Sequence, residues 1–382
     1  MSRIYLDHAA TSPMNPEVIE AMAGFMAEYY GNPSSIHAHG RESRRFLDKA
    51  RETIASSIHA GTREIIFTSG GTEADNMAII GTALANRDKG NHIITTEIEH
   101  HAVLHTCAHL EKQGCRVTYL PVDKTGKISL DDLKSALSDE TILVTIMYGN
   151  NEAGTIQPVA EISELLKNHQ SYFHTDAVQA FGLLPIDVRE LGVDLLSVSG
   201  HKINGPKGAG FLYAKSGTKL SPIAFGGEQE LKRRAGTENS AGIIGLAKAV
   251  ELAENSRAEK AQLYKEMKKA MLGVLKEKDI LFEINGDLEN SLPHVLNLYF
   301  PGTNVESLLV NLDIAGVSVS SGSACTAGSI DPSHVLTAMF GKDSDRIAAS
   351  IRFSFGMGLT IDDVKEAAIK TAEAVSRLTA NK

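Results

Sequence analysis

One lysine, one aspartate, one cysteine and a glycine turn carry most of the chemistry this sequence offers. The stretch "SVSGHKINGPKGAG", Ser197–Gly210, puts Lys202 just past a short apolar run and inside a glycine-rich loop. A lysine so placed either pairs with an anion or is itself a reagent, because lysine forms Schiff bases with carbonyl compounds once it can lose its proton near neutral pH. Burial and neighbouring positive charge lower its pKa. His201 is adjacent and Ser199 supplies a hydroxyl, whereas Lys207 reads as a loop or anion-contacting lysine.

Three further features bear on the same chemistry. In "TSGGTEADN", residues 68–76, two glycines and a threonine join a strand to a helix. Free N–H groups there make a phosphate cradle, although an ordinary strand-to-helix turn fits the same pattern. In "FHTDAVQA", residues 173–180, Asp176 ends a strand-like run and Gln179 follows three positions on. Ligands of α/β sheets gather beyond the carboxyl ends of strands, so Asp176 is placed either to hold a cationic ring nitrogen or to act as a capping acid. Cys325 lies in "SSGSACTAGS", among small residues that give a thiol no apolar shell, and is the cysteine to suspect of chemistry. Cys107 and Cys115 fall in or after a helical pattern without C-x-x-C spacing, which reads as reduced and structural.

His101, His105 and His109 recur four apart on one helix face. Two imidazoles so spaced can share zinc, but a stable site needs further ligands and an ordered outer shell. A solvated face is the simpler reading, and no metal is expected. His100 stands apart, at a strand-to-helix junction.

These residues need a scaffold, and the chain supplies alternating elements. "EIIFTS", "HIITT", "RVTYLPV", "TILVTIM", "YFHTDAV", "DLLSVSG" and "GFLYA" read as strands, with amphipathic helical stretches between them. That alternation predicts an α/β fold with a mostly parallel sheet covered on both faces. Ser129, three residues before Asp132, is a helix-capping signal. From about residue 239 a helical pattern some 40 residues long predicts a bridge between two units; after it a smaller α+β unit follows. The net charge of −9 argues against a nucleic-acid surface, and no apolar run reaches membrane-spanning length. With an unpaired cysteine count and no signal-peptide pattern at the start, a cytoplasmic enzyme is expected.

Taken together, "SGHKINGPKG", "TSGGTEADN", "TDAVQ", "EHHAV", "NNEAGT", "RAGTEN" and "SSGSACTAGSIDPSHVL" resemble the pyridoxal-phosphate-dependent cysteine desulfurases, in their nitrogenase-type and iron–sulfur-assembly branch. The resemblance runs from "IYLDHAATSP" and "GNPSSIH" to "SIRFSFG". It implies an aminotransferase-like fold of type I, with a large domain built on a mostly parallel seven-stranded sheet and a smaller α+β domain. The implied division is 13–255 for the large cofactor-binding domain, with 1–12 and 256–382 forming the small domain that carries the cysteine loop. It also implies a homodimer.

The site follows from the resemblance, position by position. Lys202 is expected to bond pyridoxal 5'-phosphate through its aldehyde and to shuttle the substrate Cα proton. Asp176 pairs with the pyridine nitrogen and Gln179 with the phenolic oxygen. Gly71, Thr72, Ser199 and His201 hold the phosphate, and Thr237 reaches the phosphate in the other subunit. His100 stacks on the ring and exchanges protons. Arg352 grips the substrate α-carboxylate, for which a planar fork suits better than an ammonium. Asn151 supports both carboxylate and ring oxygen. Cys325, as thiolate, takes the sulfur of L-cysteine as a persulfide and leaves L-alanine. Residues 320–333 are expected to be mobile, delivering sulfur to an acceptor, either an iron–sulfur scaffold or a tRNA-thiolation enzyme. A selenocysteine lyase or another pyridoxal-phosphate enzyme of this fold is the alternative.

Overall fold

The structure, a computed structural model, describes residues 3–321 and 332–380, together with the backbone of 325–326 and 329–330. Seven strands form the main sheet: β1 (Ile65–Thr68), β2 (His92–Thr96), β3 (Arg116–Leu120), β4 (Thr141–Thr145), β5 (Tyr172–Asp176), β6 (Leu195–Ser199) and β7 (Gly210–Ala214). Their spatial order is β1-β7-β6-β5-β4-β2-β3. Every neighbouring pair is parallel except those made by β7, which runs antiparallel to both β1 and β6. The expected seven-stranded, mostly parallel α/β sheet is therefore present.

Near-continuous apolar strands are what a sheet with both faces covered requires. β1, β2, β4, β6 and β7 are buried at every position, and only edge strand β3 exposes part of its length. β2 has β3 on one side and β4 on the other, so the connections diverge there. A crevice opens at such a divergence, beyond the carboxyl ends of the strands. Those ends carry Asp176 as the last residue of β5, and His100, Asn151 and Lys202 in the loops and turns that follow.

A second sheet of three antiparallel strands, in the order Ser350–Ser354, Val295–Tyr299 and Glu283–Asn285, builds the smaller unit. The N-terminus belongs to it. Ile4–Tyr5 pairs in parallel with Val317–Ser318, and Asp7 bridges to Ser354. The chain then crosses to the main sheet, where Ser12 Oγ donates to the His201 carbonyl at 2.7 Å.

One helix, Ser240–Glu277, joins the two units. Its first half puts Ile243, Leu246, Val250 and Ala253 into the core of the main sheet. Its second half puts Tyr264, Met267, Met271 and Leu275 into the core of the smaller one. The Ser129 capping signal also holds: its Oγ accepts from the Asp132 N–H at 3.1 Å. Among the described residues no helix is long and apolar enough to cross a membrane.

Candidate active site

Lys202 ends a single helical turn, Gly200–Lys202, directly after β6. Its Nζ donates to the backbone carbonyls of Ala9 at 2.5 Å and Ala10 at 2.8 Å. Burial pushes the amine down to about 8, helped by the Arg352 charge and opposed by Asp176 and Asp7. An amine near that value supplies a usable fraction of free base at neutral pH.

Asp176 is the last residue of β5, and its Oδ1 accepts from the Val178 N–H at 2.8 Å. Burial raises its carboxyl to about 6, against the pull of Val178 and Lys202. Asp75 lines the same cleft, and burial together with the Asp176 charge holds it well above the usual carboxylate range. Behind it His174 is locked between Thr145 Oγ1 at 2.8 Å and Ser197 Oγ at 2.9 Å. Gln179 donates from Nε2 to the Ala9 carbonyl at 3.0 Å.

His100 caps the helix His101–Glu111 by accepting from the Ala102 N–H at Nδ1, 3.1 Å away. The proton of the neutral ring is therefore on Nε2. Burial first, then Lys202 and the neighbouring histidines, push it down to about 4, so it is uncharged near neutrality. His201 is likewise pushed to about 4, by burial and then Lys202, and its Nδ1 meets Thr11 Oγ1 at 3.1 Å.

Arg352, in the strand Ser350–Ser354, is buried at 4 % exposure. Nη1 donates to the Asn151 carbonyl at 2.9 Å and Nη2 to Asp7 Oδ1 at 2.8 Å, while the buried Nε has no protein partner. At the other end of the cleft the helix Gly71–Ala85 begins without a side-chain cap. A Cβ at Gly71 would sit 2.7 Å from Val178 Cγ2, and one at Gly210 would sit 2.8 Å from Gly70 Cα. Only glycine lets the β7 backbone approach this turn so closely. Glu73, in the first turn, is drawn to Arg234 at 2.7 Å.

The site opens as one cleft of about 560 Å³. It brings together Gly71, Thr72, His100, Asn151, Asp176, Gln179, Ser199, His201, Lys202 and Arg352. Thr237 is exposed and does not line it. The backbone of Cys325 lies in a two-residue strand paired with Ser329–Ile330, while its side chain and residues 322–324, 327–328 and 331 of the expected mobile stretch 320–333 lie outside the described residues. His101 packs its ring 5.0 Å from His105 and 4.7 Å from His334, and among the described residues no group is arranged to hold a metal ion. Sequence reading gave no role to Asp7, Ala9, Ala10, Thr11 or Asp75. The first four sit in "DHAAT", whose contribution is mostly backbone carbonyls.

A family model described as aminotransferase class-V matches residues 4–366. The chain is 64 % identical to IscS 1 of Bacillus subtilis (strain 168), over 99 % of this chain and 100 % of that one. It is 50 % identical to the cysteine desulfurase IscS of Dictyoglomus turgidum, over 94 % of this chain and 91 % of the relative. The chain belongs to the class-V aminotransferase family, among the cysteine desulfurases. A solved NifS-like protein superposes on this class-V fold with a TM-score of 0.91 at 36 % identity, covering 98 % of this chain and 100 % of its own.

Cysteine desulfurases of the class-V family use pyridoxal 5'-phosphate. The cleft suits that group. An acid raised by burial, Asp176, an amine easily made neutral, Lys202, and an uncapped helix start with hydroxyls beside it all face the cleft.

Proposed function

We propose that this class-V enzyme is a cysteine desulfurase that converts L-cysteine to L-alanine and carries the sulfur as a persulfide on Cys325. One observation carries the reading: the segment bearing Cys325 is tied at both ends to the cleft that holds Lys202. On its amino side Ser320 pairs backbone to backbone with Arg352, at 2.7 Å and 3.3 Å. On its carboxyl side Ser333 donates to Glu152 Oε2 at 2.5 Å, and His334 Nε2 bonds the Glu99 carbonyl at 2.9 Å, next to His100. Ten residues separate Ser321 from Pro332. A stretch of five extends over about 17 Å, which suffices to carry a thiol from the cleft to its rim.

Pyridoxal phosphate, when bound, supplies an electron sink for charge developing at the substrate Cα. The chain's own groups do the rest. Asp176, ionised once a cation faces it, keeps the ring nitrogen protonated. Lys202 holds the aldehyde and then moves the Cα proton. His100, neutral and with its proton on Nε2, passes a proton at the substrate amine or sulfur. Arg352 holds the α-carboxylate, using the guanidinium edge that Asp7 and the Asn151 carbonyl leave. Asn151 steadies both carboxylate and ring oxygen. The Cys325 thiolate attacks substrate sulfur, so a persulfide bond forms as the Cβ–S bond breaks.

Gly71, Thr72, Ser199 and His201 take the phosphate, with Gln179 at the phenolic oxygen. Thr237 serves the site of a second subunit; its exposure outside its own cleft supports that reading. Residues 13–255 then act as the cofactor-binding unit, with 1–12 and 256–382 as the substrate and sulfur unit. Acceptors are proteins of iron–sulfur assembly or tRNA thiolation in the cytoplasm. Cys325→Ser decides the matter: a yellow protein that yields no persulfide is expected, and unchanged persulfide yield would sink the assignment.

A further inference from the structure

Gln179 is held by more than the cleft. Its Nε2 faces the Ala9 carbonyl at 3.0 Å, an acceptor only, which leaves the amide one possible orientation. Its Oε1 must then meet a donor, and it lies 3.1 Å from His294 Nε2. His294 therefore carries its proton on Nε2 and leaves Nδ1 bare, and Nδ1 is indeed buried with no protein partner. The ring is 6 % exposed and borders a cavity of about 30 Å³ shared with Lys202 and His8, room for one or two waters. No bulk solvent can stand in for it.

Ala9 closes the chain of contacts, since the same carbonyl accepts from Lys202 Nζ. Resting on the reading of Gln179 as the partner of the cofactor's phenolic oxygen, we infer that His294 is a positioning residue: it fixes the amide of Gln179 so that an N–H, and not the carbonyl, faces that oxygen. A flipped amide would set an acceptor against an oxygen anion. His294 touches neither cofactor nor substrate and acts only through Gln179. Burial keeps the ring neutral, and Lys268, Lys202, His8 and Arg352 around it all oppose its protonation.

Two measurements test this. The first is the pH midpoint of the colour change of the cofactor bound to Lys202. A donated hydrogen bond stabilises the oxygen anion and so lowers that midpoint. His294→Leu should raise it by about half to one pH unit, and His294→Gln, which keeps an N–H at the position of Nε2, should restore it. A loss of packing alone would shift the melting temperature of both variants without separating their midpoints. An unmoved midpoint in the Leu variant, or one that Gln fails to restore, overturns the inference. The second measurement needs no variant and no cofactor. Nitrogen NMR of the apoprotein should show His294 protonated at Nε2 and bare at Nδ1, and the opposite tautomer overturns it. Apoprotein that stays colourless with added pyridoxal phosphate would count against the desulfurase reading, and the tautomer would still answer for His294.

Discussion

Two lysines with lowered pKa, the half-buried Lys202 and the buried Lys268, differ in what surrounds them, and only one belongs to the candidate site. Lys268 sits on the bridging helix at 5 % exposure, and burial pushes it to about 7, lower even than Lys202. Yet Lys268 spends its donors on Ser291 Oγ at 3.0 Å and the Leu292 carbonyl at 2.7 Å, clamping the turn that leads to His294. Lys202 borders a cleft of about 560 Å³ alongside Asp176, His100 and Arg352. A depressed pKa marks burial; an open space with complementary charges marks a reagent.

The sharpest way to break that contrast is to remove each amine in turn. Lys202→Met should cut alanine formation from cysteine by about 10⁴-fold or more, whereas Lys268→Met should stay within about threefold of the parent, since it touches no reacting atom. Borohydride reduction of the loaded enzyme followed by peptide mass analysis should find the cofactor on Lys202 alone.

Arg352 is the charge that Lys202 has nearby and Lys268 lacks. Arg352→Gln should raise KM for cysteine about 100-fold through loss of the bidentate grip. The same change should raise the pKa of Lys202 in the apoprotein, read from the pH dependence of its reaction with pyridoxal phosphate, because Arg352 is the second-largest cause lowering it.

Stability separates the two lysines in another way. The folded pKa of Lys268, about 7, lies below its ordinary 10.5, so between those values the unfolded chain binds a proton that the folded chain has released. Stability then rises with pH across that window, and the penalty of burial is full below it and gone above it. Denaturant unfolding should show parent minus Lys268→Met increasing by about 2 kcal/mol or more from neutral pH to pH 10. A flat difference would mean that the amine is already solvated. Smallest is Asp7→Asn, which removes the carboxylate competing for Arg352 and should lower KM for cysteine by about two- to fivefold.

The main sheet was legible because five of its strands are buried on both faces, and such strands read as apolar runs in any order of assembly. The glycine turn, Asp176 and Lys202 were legible for a related reason: each ends a strand or closely follows one, so the sheet brings them to one edge. What escaped the reading is carried by groups with no side-chain signature. The acceptors for Lys202 and Gln179 are the carbonyls of Ala9 and Ala10, and no residue type announces a carbonyl. Asp75 and His294 meet partners, His174 and Gln179, that lie 99 and 115 positions away, which leaves no local spacing to read. The role proposed for Thr237 involves a second copy of the chain, which one sequence does not display.

The helix Ser240–Glu277 has a mechanical meaning besides its length. A rod rooted in two separate apolar interiors cannot melt at one end without stripping its other half of support. Heating should therefore dismantle the molecule in a single cooperative step, and one continuous shaft links the unit that carries Lys202 to the unit that carries Arg352.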